Sequence, residues 1–222
     1  MPATVPVTLK IDFVSDVVCP WCAIGLAALT QAADRLAGQV RLDWHFQPFE
    51  LNPSMGLQGE DLLAHLAGKY GATREQLEQT HRQIAARGAA LGLAFNPQRT
   101  HIYNTFDAHR LLHWLGEEGA AGQQLAFKQA LFKSYFSDGE NPSDPAVLLR
   151  LVGALGLDEA RARAVLQSGE YADAVREREA FYQGQGIHSV PAVIVNDRHL
   201  IQGGQPVEAF EQALRQIAAQ QP

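Results

Sequence analysis

The only two cysteines of this 222-residue chain, Cys19 and Cys22, are separated by just Pro20 and Trp21 in the stretch "SDVVCPWCAIGLAAL". Three kinds of chemistry suit two thiols at that spacing. A structural disulfide is the first, but closing a four-residue loop contributes only about 2 kcal/mol in the loop-entropy account, and a reducing compartment would keep it open. Half of a zinc site is the second. Structural zinc takes four ligands, and the chain offers no second cysteine pair, so no metal is expected. A redox dithiol is the third, and it depends on the elements that hold the pair.

Those elements read as a strand running into a helix. Val7, Leu9, Ile11 and Phe13 alternate with Thr8, Lys10 and Asp12 at the period of a strand. After Cys19, apolar Leu26, Leu29, Ala33 and Leu36 recur at helical spacing, with Gly38 as the stop. Cys19 then sits at a helix N-terminus, and Pro20 falls where a missing N–H costs nothing. Unpaired backbone N–H groups and the helix dipole favour a thiolate there, which predicts a Cys19 pKa below the free value of about 8.5 and a thiol with little burial. Cys22, one turn deeper on the same side, is placed to attack a mixed disulfide formed at Cys19. The Asp16 carboxylate would work against the Cys19 thiolate by charge repulsion.

Val40, Leu42, Trp44 and Phe46 alternate as a second strand and close a β-α-β unit. Near the other end, Ala192–Val195 and His199–Gln202 read as two strands joined by a polar turn. Gly203 and Gly204 then break the chain before a helix carrying Val207, Phe210, Leu214 and Ile217 on one face. Residues 54–187 between these halves show helix signals only, including Thr-Arg-Glu-Gln at 73–76 as a capping box and Pro145 at a helix start, and predict five to seven helices. The expected segments are 1–53 and 188–222 for the mixed half and 54–187 for an all-helical insertion.

Composition is that of a soluble globular protein, 46% hydrophobic and 19% charged with a formal charge of −6. Interspersed charges leave no basic stripe, so nucleic acid is not an expected partner. No apolar run is long enough for a membrane span and the N-terminal stretch lacks the pattern of a secretory signal, which points to a cytoplasmic protein.

The order of strand, Cys-Pro-Trp-Cys at a helix start, second strand, helical insertion, and Val-Pro opening a β-β-α end resembles the DsbA family of thioredoxin-fold oxidoreductases. More narrowly, "SDVVCPWCAIG", "FQPFELNP" and "NTFDAHRLL" are similar to its cytoplasmic FrnE-like branch. The resemblance implies an α/β thioredoxin-like fold and a dithiol/disulfide oxidoreductase or isomerase acting on protein or small-molecule disulfides. It implies no cofactor beyond the Cys19–Cys22 pair, glutathione as a candidate reductant, and a monomer or homodimer. It further implies that Val190-Pro191 is a cis-proline loop beside the cysteines, with Pro191 part of the catalytic site and Pro20, Trp21 and Val190 contacting substrate. Ser189 stands where the family often has Gly. Secreted members carry a buried Glu in the first strand; Asp12, one residue out of step, is its approximate counterpart and the proton relay so implied. Phe46, Phe49, Phe106 and His109 read as packing residues of the cleft. Kappa-class glutathione transferases and hydroxychromene carboxylate isomerases share the layout, but they typically have Ser where this chain has Cys19. A peptide-binding holdase with an idle dithiol is a third reading.

Overall fold

Alternation builds the central sheet. β1 (Val7–Ser15) pairs in parallel with β2 (Val40–Pro48) and antiparallel with β5 (Ala192–Val195), which pairs antiparallel with β6 (His199–Gln202). The strand order is β2-β1-β5-β6. A computed structural model of the chain describes residues 5–221, so the outermost parts of the expected segments 1–53 and 188–222 lie outside the described residues.

Side chains on alternate positions of a strand face opposite sides of the sheet. Leu9, Ile11, Phe13, Val193 and Val195 pack with Leu26 and Leu29 of α1 (Pro20–Arg35) and with Phe210 and Leu214 of α9 (Val207–Ala218). Val14 and Ala192 take the other side, against Tyr182 and Ile187. Helix α1 ends at Arg35 with Leu36 at its C-cap, and Gly38 supplies the left-handed residue after it, at φ +83°. Ala32, rather than the expected Ala33, is the residue fully buried on that face.

Between β2 and β5 run α2 (Leu62–Tyr70), α3 (Arg74–Ala89), α4 (Phe106–Glu118), α5 (Gln123–Phe132), α6 (Pro145–Ala154), α7 (Glu159–Gln167) and α8 (Ala172–Gly184). Thr73 and Gln76 form the expected capping box at α3, and Asp144 caps α6 ahead of Pro145. The expectation of helix alone here is corrected in two places. Glu60–Asp61 and His101–Ile102 pair as a short antiparallel ribbon, β3 and β4, and α5 continues into a π-helical stretch over Lys133–Asp138. Two-residue strands, one of them acidic and exposed, carry no periodicity to detect.

The insertion has a core of its own, in which Leu111, Leu115, Phe127, Leu148 and Val152 meet. It also shares the sheet's core, because Met55, Leu62, Ile102, Phe132, Tyr135 and Phe136 pack in the cluster that contains Phe13 and Cys22. Gln124 of α5 ties the two together at the free edge of β2: its Oε1 accepts from the Phe46 amide at 3.0 Å and its Nε2 donates to the Leu112 carbonyl at 2.8 Å. An unpaired edge amide is thereby satisfied by a side chain from the insertion.

Candidate active site

Cys19 is the N-cap residue of α1, in extended backbone, with its own amide bonded to the Asp16 carbonyl at 3.3 Å. Its carbonyl accepts from the Cys22 and Ala23 amides, which opens the helix, and Pro20 follows at the first turn. No acidic residue lies in that turn. The Cys19 thiol donates to the Val190 carbonyl at 3.7 Å, which places the residue 171 positions along the chain at the reactive sulfur.

The Val190–Pro191 peptide bond is cis. The loop is seated against α1 because Gly25 has no side chain: a Cβ there would lie 3.1 Å from Pro191 Cγ and 3.4 Å from the Gly204 Cα. The Pro191 carbonyl accepts from the Gly203 amide at 2.8 Å, which couples the loop to the glycine pair before α9. Trp21 is half-buried, with the Arg87 guanidinium of α3 over its ring at 5.1 Å. Pro20 and Val190 are also half-buried. Cys19, Cys22, Pro20, Trp21, Val190 and Pro191 are thus together at one end of α1.

Burial differs from expectation. Cys19 is only 4% exposed and Cys22 fully buried, since the Val190–Pro191 loop covers the helix start. Burial, reinforced by the neighbouring Cys19 thiol, pushes the Cys22 thiol well above its ordinary pKa.

Asp12 also requires correction. Asp12 alternates with Ile11 and Phe13, so it faces away from the cysteines, where it accepts from Gln47 Nε2 at 2.6 Å and pairs with Lys10 at 3.0 Å. It is not the buried charge beside the thiols. The Asp16 carboxylate is fully buried: Oδ2 accepts from the Leu51 amide at 2.7 Å, and Oδ1 lies 3.4 Å from His109 Nε2 without hydrogen-bond alignment. Burial is the largest influence on its pKa and acts upward. His109, the Leu51 amide and Thr105 outweigh it and hold the carboxyl below its ordinary value. Phe46 and Phe49 lie in the core, and Phe106 lies under Arg176, whose guanidinium is 4.0 Å from the ring centre.

The fully buried charge that sequence reasoning missed is Lys128, on α5. It is fully buried, its Nζ has no hydrogen-bond partner among the described residues, and it lies 5.0 Å from the Phe132 ring. Burial lowers its pKa from the ordinary 10.5 to about 8, against the pull of the Cys22, Asp16 and Cys19 charges. A folded-state value below the unfolded one means that folding is opposed by this group at pH below about 8, and that the penalty vanishes as the pH approaches 10.5. Lys128→Met is therefore expected to raise stability at pH 7 by about 1–3 kcal/mol. Thermal melting of the two proteins should show that advantage shrinking between pH 8 and 10.5.

Two shallow surface hollows lie elsewhere, along α9 and α2, and none of the residues around Cys19 lines them. Among the described residues, no group of three or more His, Cys, Asp or Glu is placed to hold a metal ion. No helix of the described residues is long and apolar enough to cross a membrane.

The pattern of the DSBA-like thioredoxin domain family matches residues 10–215. The chain belongs to that family. A probable DsbA oxidoreductase, SCO1869 from Streptomyces coelicolor, is similar at 32% identity with a TM-score of 0.87, over 96% of this chain and 92% of that one. Two further structures share the fold. A 2-hydroxychromene-2-carboxylate isomerase aligns at 17% identity and TM-score 0.70, over 95% of this chain and 97% of its own. The cytosolic disulfide reductase DsbM from Pseudomonas aeruginosa, with GSH, aligns at 18% and 0.64, over 95% and 99%. The DSBA-like thioredoxin fold and the family's thiol-redox character therefore apply to this chain.

Proposed function

We propose that this DSBA-like protein is a thiol–disulfide oxidoreductase of the FrnE-like branch, acting on protein or small-molecule disulfides with Cys19 as the attacking and Cys22 as the resolving sulfur. The observation that carries the reading is the asymmetry of the pair: Cys19 is the N-cap of α1, while Cys22 is sealed one turn below with a thiol that burial keeps protonated. Negative charge is favoured at a helix N-terminus, and no acidic side chain in the first turn opposes it.

Attack by the Cys19 thiolate on a substrate disulfide forms a mixed disulfide and releases one substrate thiolate. Cys22 then attacks Cys19 Sγ, closes the Cys19–Cys22 disulfide and releases the second. Val190 and Pro191 border the reacting sulfur, and an extended peptide passing it would meet their backbone and the Pro20–Trp21 surface. No cofactor beyond the dithiol is needed; glutathione is the proposed reductant of the pair, in keeping with the GSH bound by DsbM. A cytoplasmic location favours reduction or isomerisation over net oxidation. The glutathione-dependent isomerase reading keeps the fold but not Cys19, where such enzymes typically use Ser.

Alkylation at mildly acidic pH is expected to label Cys19 before Cys22, read by mass mapping after brief iodoacetamide treatment; Cys22 labelled first would reverse the assignment. Cys19→Ser tests the reading as a whole. Loss of disulfide reduction with peptide binding retained supports redox chemistry, whereas reduction that survives the substitution would favour a holdase with an idle dithiol.

A further inference from the structure

Arg35, Arg110, Arg161, Arg163, Arg176 and Arg215 each pair with an Asp or Glu. Arg87 has no carboxylate partner among the described residues. It is exposed near the end of α3, and its guanidinium rests over the Trp21 ring, 5.1 Å from the ring centre. A cation–π contact engages the charge of a guanidinium and leaves its five N–H donors free. The placement is built by packing. Ile84, one turn earlier, is buried, and a Cβ on the adjacent Gly88 would collide with the Phe95 ring. Gln31 Nε2 of α1 donates to the Leu91 carbonyl at 3.1 Å, which ties the end of α3 to the helix that carries the cysteines. Trp21 is held as well: a Cβ on Gly204 would lie 3.0 Å from the Trp21 carbonyl oxygen and 3.6 Å from its Cε3, so only glycine lets the loop before α9 close on it this tightly.

Trp21 follows Cys19 by two residues, so their Cα atoms lie within about 7.6 Å of each other. An extended chain advances about 3.3 Å per residue, which brings the Arg87 charge within a few residues of a sulfur being attacked. Resting on the dithiol reading of the site, we propose that Arg87 determines specificity by selecting disulfides that carry a carboxylate within about three residues of the attacked sulfur. The carboxylate accepts from the free N–H donors of Arg87 while the neighbouring part of the substrate lies against the Trp21 ring. The chain carries a formal charge of −6, so an acidic substrate gains from a local cation at the point of attack. Arg87 takes no part in bond making: the Cys19 thiolate attacks one substrate sulfur, the substrate S–S bond breaks, and the other sulfur leaves as a thiolate with the electron pair. An acidic side chain of a protein substrate and the carboxylates of glutathione offer the same chemistry.

Attack is isolated in the Cys22→Ser protein, where formation of the Cys19 adduct is the last step. Three peptides with one cysteine, each joined to an uncharged thiopyridyl group, carry Glu two residues from the cysteine, Gln at that place, or Glu eight residues away. Release of thiopyridone reads the rate, and the ratio of two peptides on one protein cancels any change in Cys19 reactivity itself. With Arg87 present, the near Glu should be attacked about fivefold faster than Gln, and the distant Glu no faster than Gln. Arg87→Gln should bring the near-Glu ratio to one, and Arg87→Glu should invert it. In a second arm, oxidised glutathione is compared with its glycyl ester. A loss of rate on esterification that Arg87→Gln removes assigns the carboxylate to glutathione, and a preference confined to the peptides assigns it to protein substrates. No preference in either arm, a ratio that persists in Arg87→Gln, or an equal advantage for the distant Glu would overturn the proposal and leave the dithiol assignment standing. Failure to form a Cys19 adduct with any of these disulfides would overturn both.

Discussion

Cys22→Ser is expected to convert the protein from a catalyst into a trap. Given a peptide disulfide, the variant should form a near-stoichiometric mixed disulfide at Cys19 and turn over no faster than the uncatalysed background. The physical reason is that Cys22 supplies the only other thiol of the chain, and it lies fully buried one turn below Cys19. Once the Cys19 thiolate has attacked, no internal sulfur remains to displace the substrate, and the covering Val190–Pro191 loop limits attack by external thiols. The hydroxyl is smaller than the thiol it replaces and sits in a dry site, so stability should fall by about 1–3 kcal/mol, short of unfolding. Non-reducing gels and mass mapping read the adduct. No adduct with any disulfide, or an adduct elsewhere than Cys19, would contradict the two-sulfur relay.

Arg110→Met is expected to produce the largest loss of stability on the insertion side. Arg110 is 4% exposed, and its guanidinium serves α4 and the far end of α7 at once. Nε donates to the Glu170 carbonyl at 2.9 Å, Nη1 to Asp107 Oδ1 at 2.8 Å, and Nη2 to the Ser168 carbonyl at 2.6 Å and to the Val165 carbonyl. The last carbonyls of a helix have no partner within it. Methionine fills much of the same volume but leaves the Ser168 and Glu170 carbonyls without this donor, at about 1–3 kcal/mol for each that water cannot reach, while the Val165 carbonyl keeps its bond from Ser168. A total near 3 kcal/mol or more corresponds to a melting point lower by roughly 6–12 °C for a chain of this size. A shift within a degree of the unsubstituted protein would mean that solvent replaces the guanidinium. Since Arg110 lies among the insertion residues, residual activity per folded molecule should be retained.

The contrast between these two positions shows where sequence is informative. The four strands, the Cys19 N-cap, the Thr73–Gln76 box and the Pro145 helix start were readable because each is a local pattern: a period of two, or a residue type that only one backbone position favours. Partnership across the fold is not local. Lys128 sits in "QQLAFKQALF", and nothing in that run reveals that the packing of α5 buries the side chain completely. Arg110 stands in "AHRLL" with no sign that α7 ends against it. Asp12 is an instructive intermediate case, because its alternation with Ile11 and Phe13 already places it on the opposite face from Cys22, and the structure follows that alternation rather than the family analogy. The shared core escapes for the same reason as Lys128. Phe132, Tyr135 and Phe136 look like insertion residues until α5 and its π-helical extension bring them under the sheet.

The central claim is that Cys19 and Cys22 cycle together between dithiol and disulfide, and equilibrium titration against glutathione redox buffers tests it most directly. With thiols blocked by a mass tag at each point, the account predicts that both cysteines gain and lose the tag in one step following a two-electron slope of about 30 mV per tenfold change in the equilibrium constant. Thiols that stay tagged across the whole range, or that oxidise separately as two glutathione adducts without forming the Cys19–Cys22 disulfide, would contradict it.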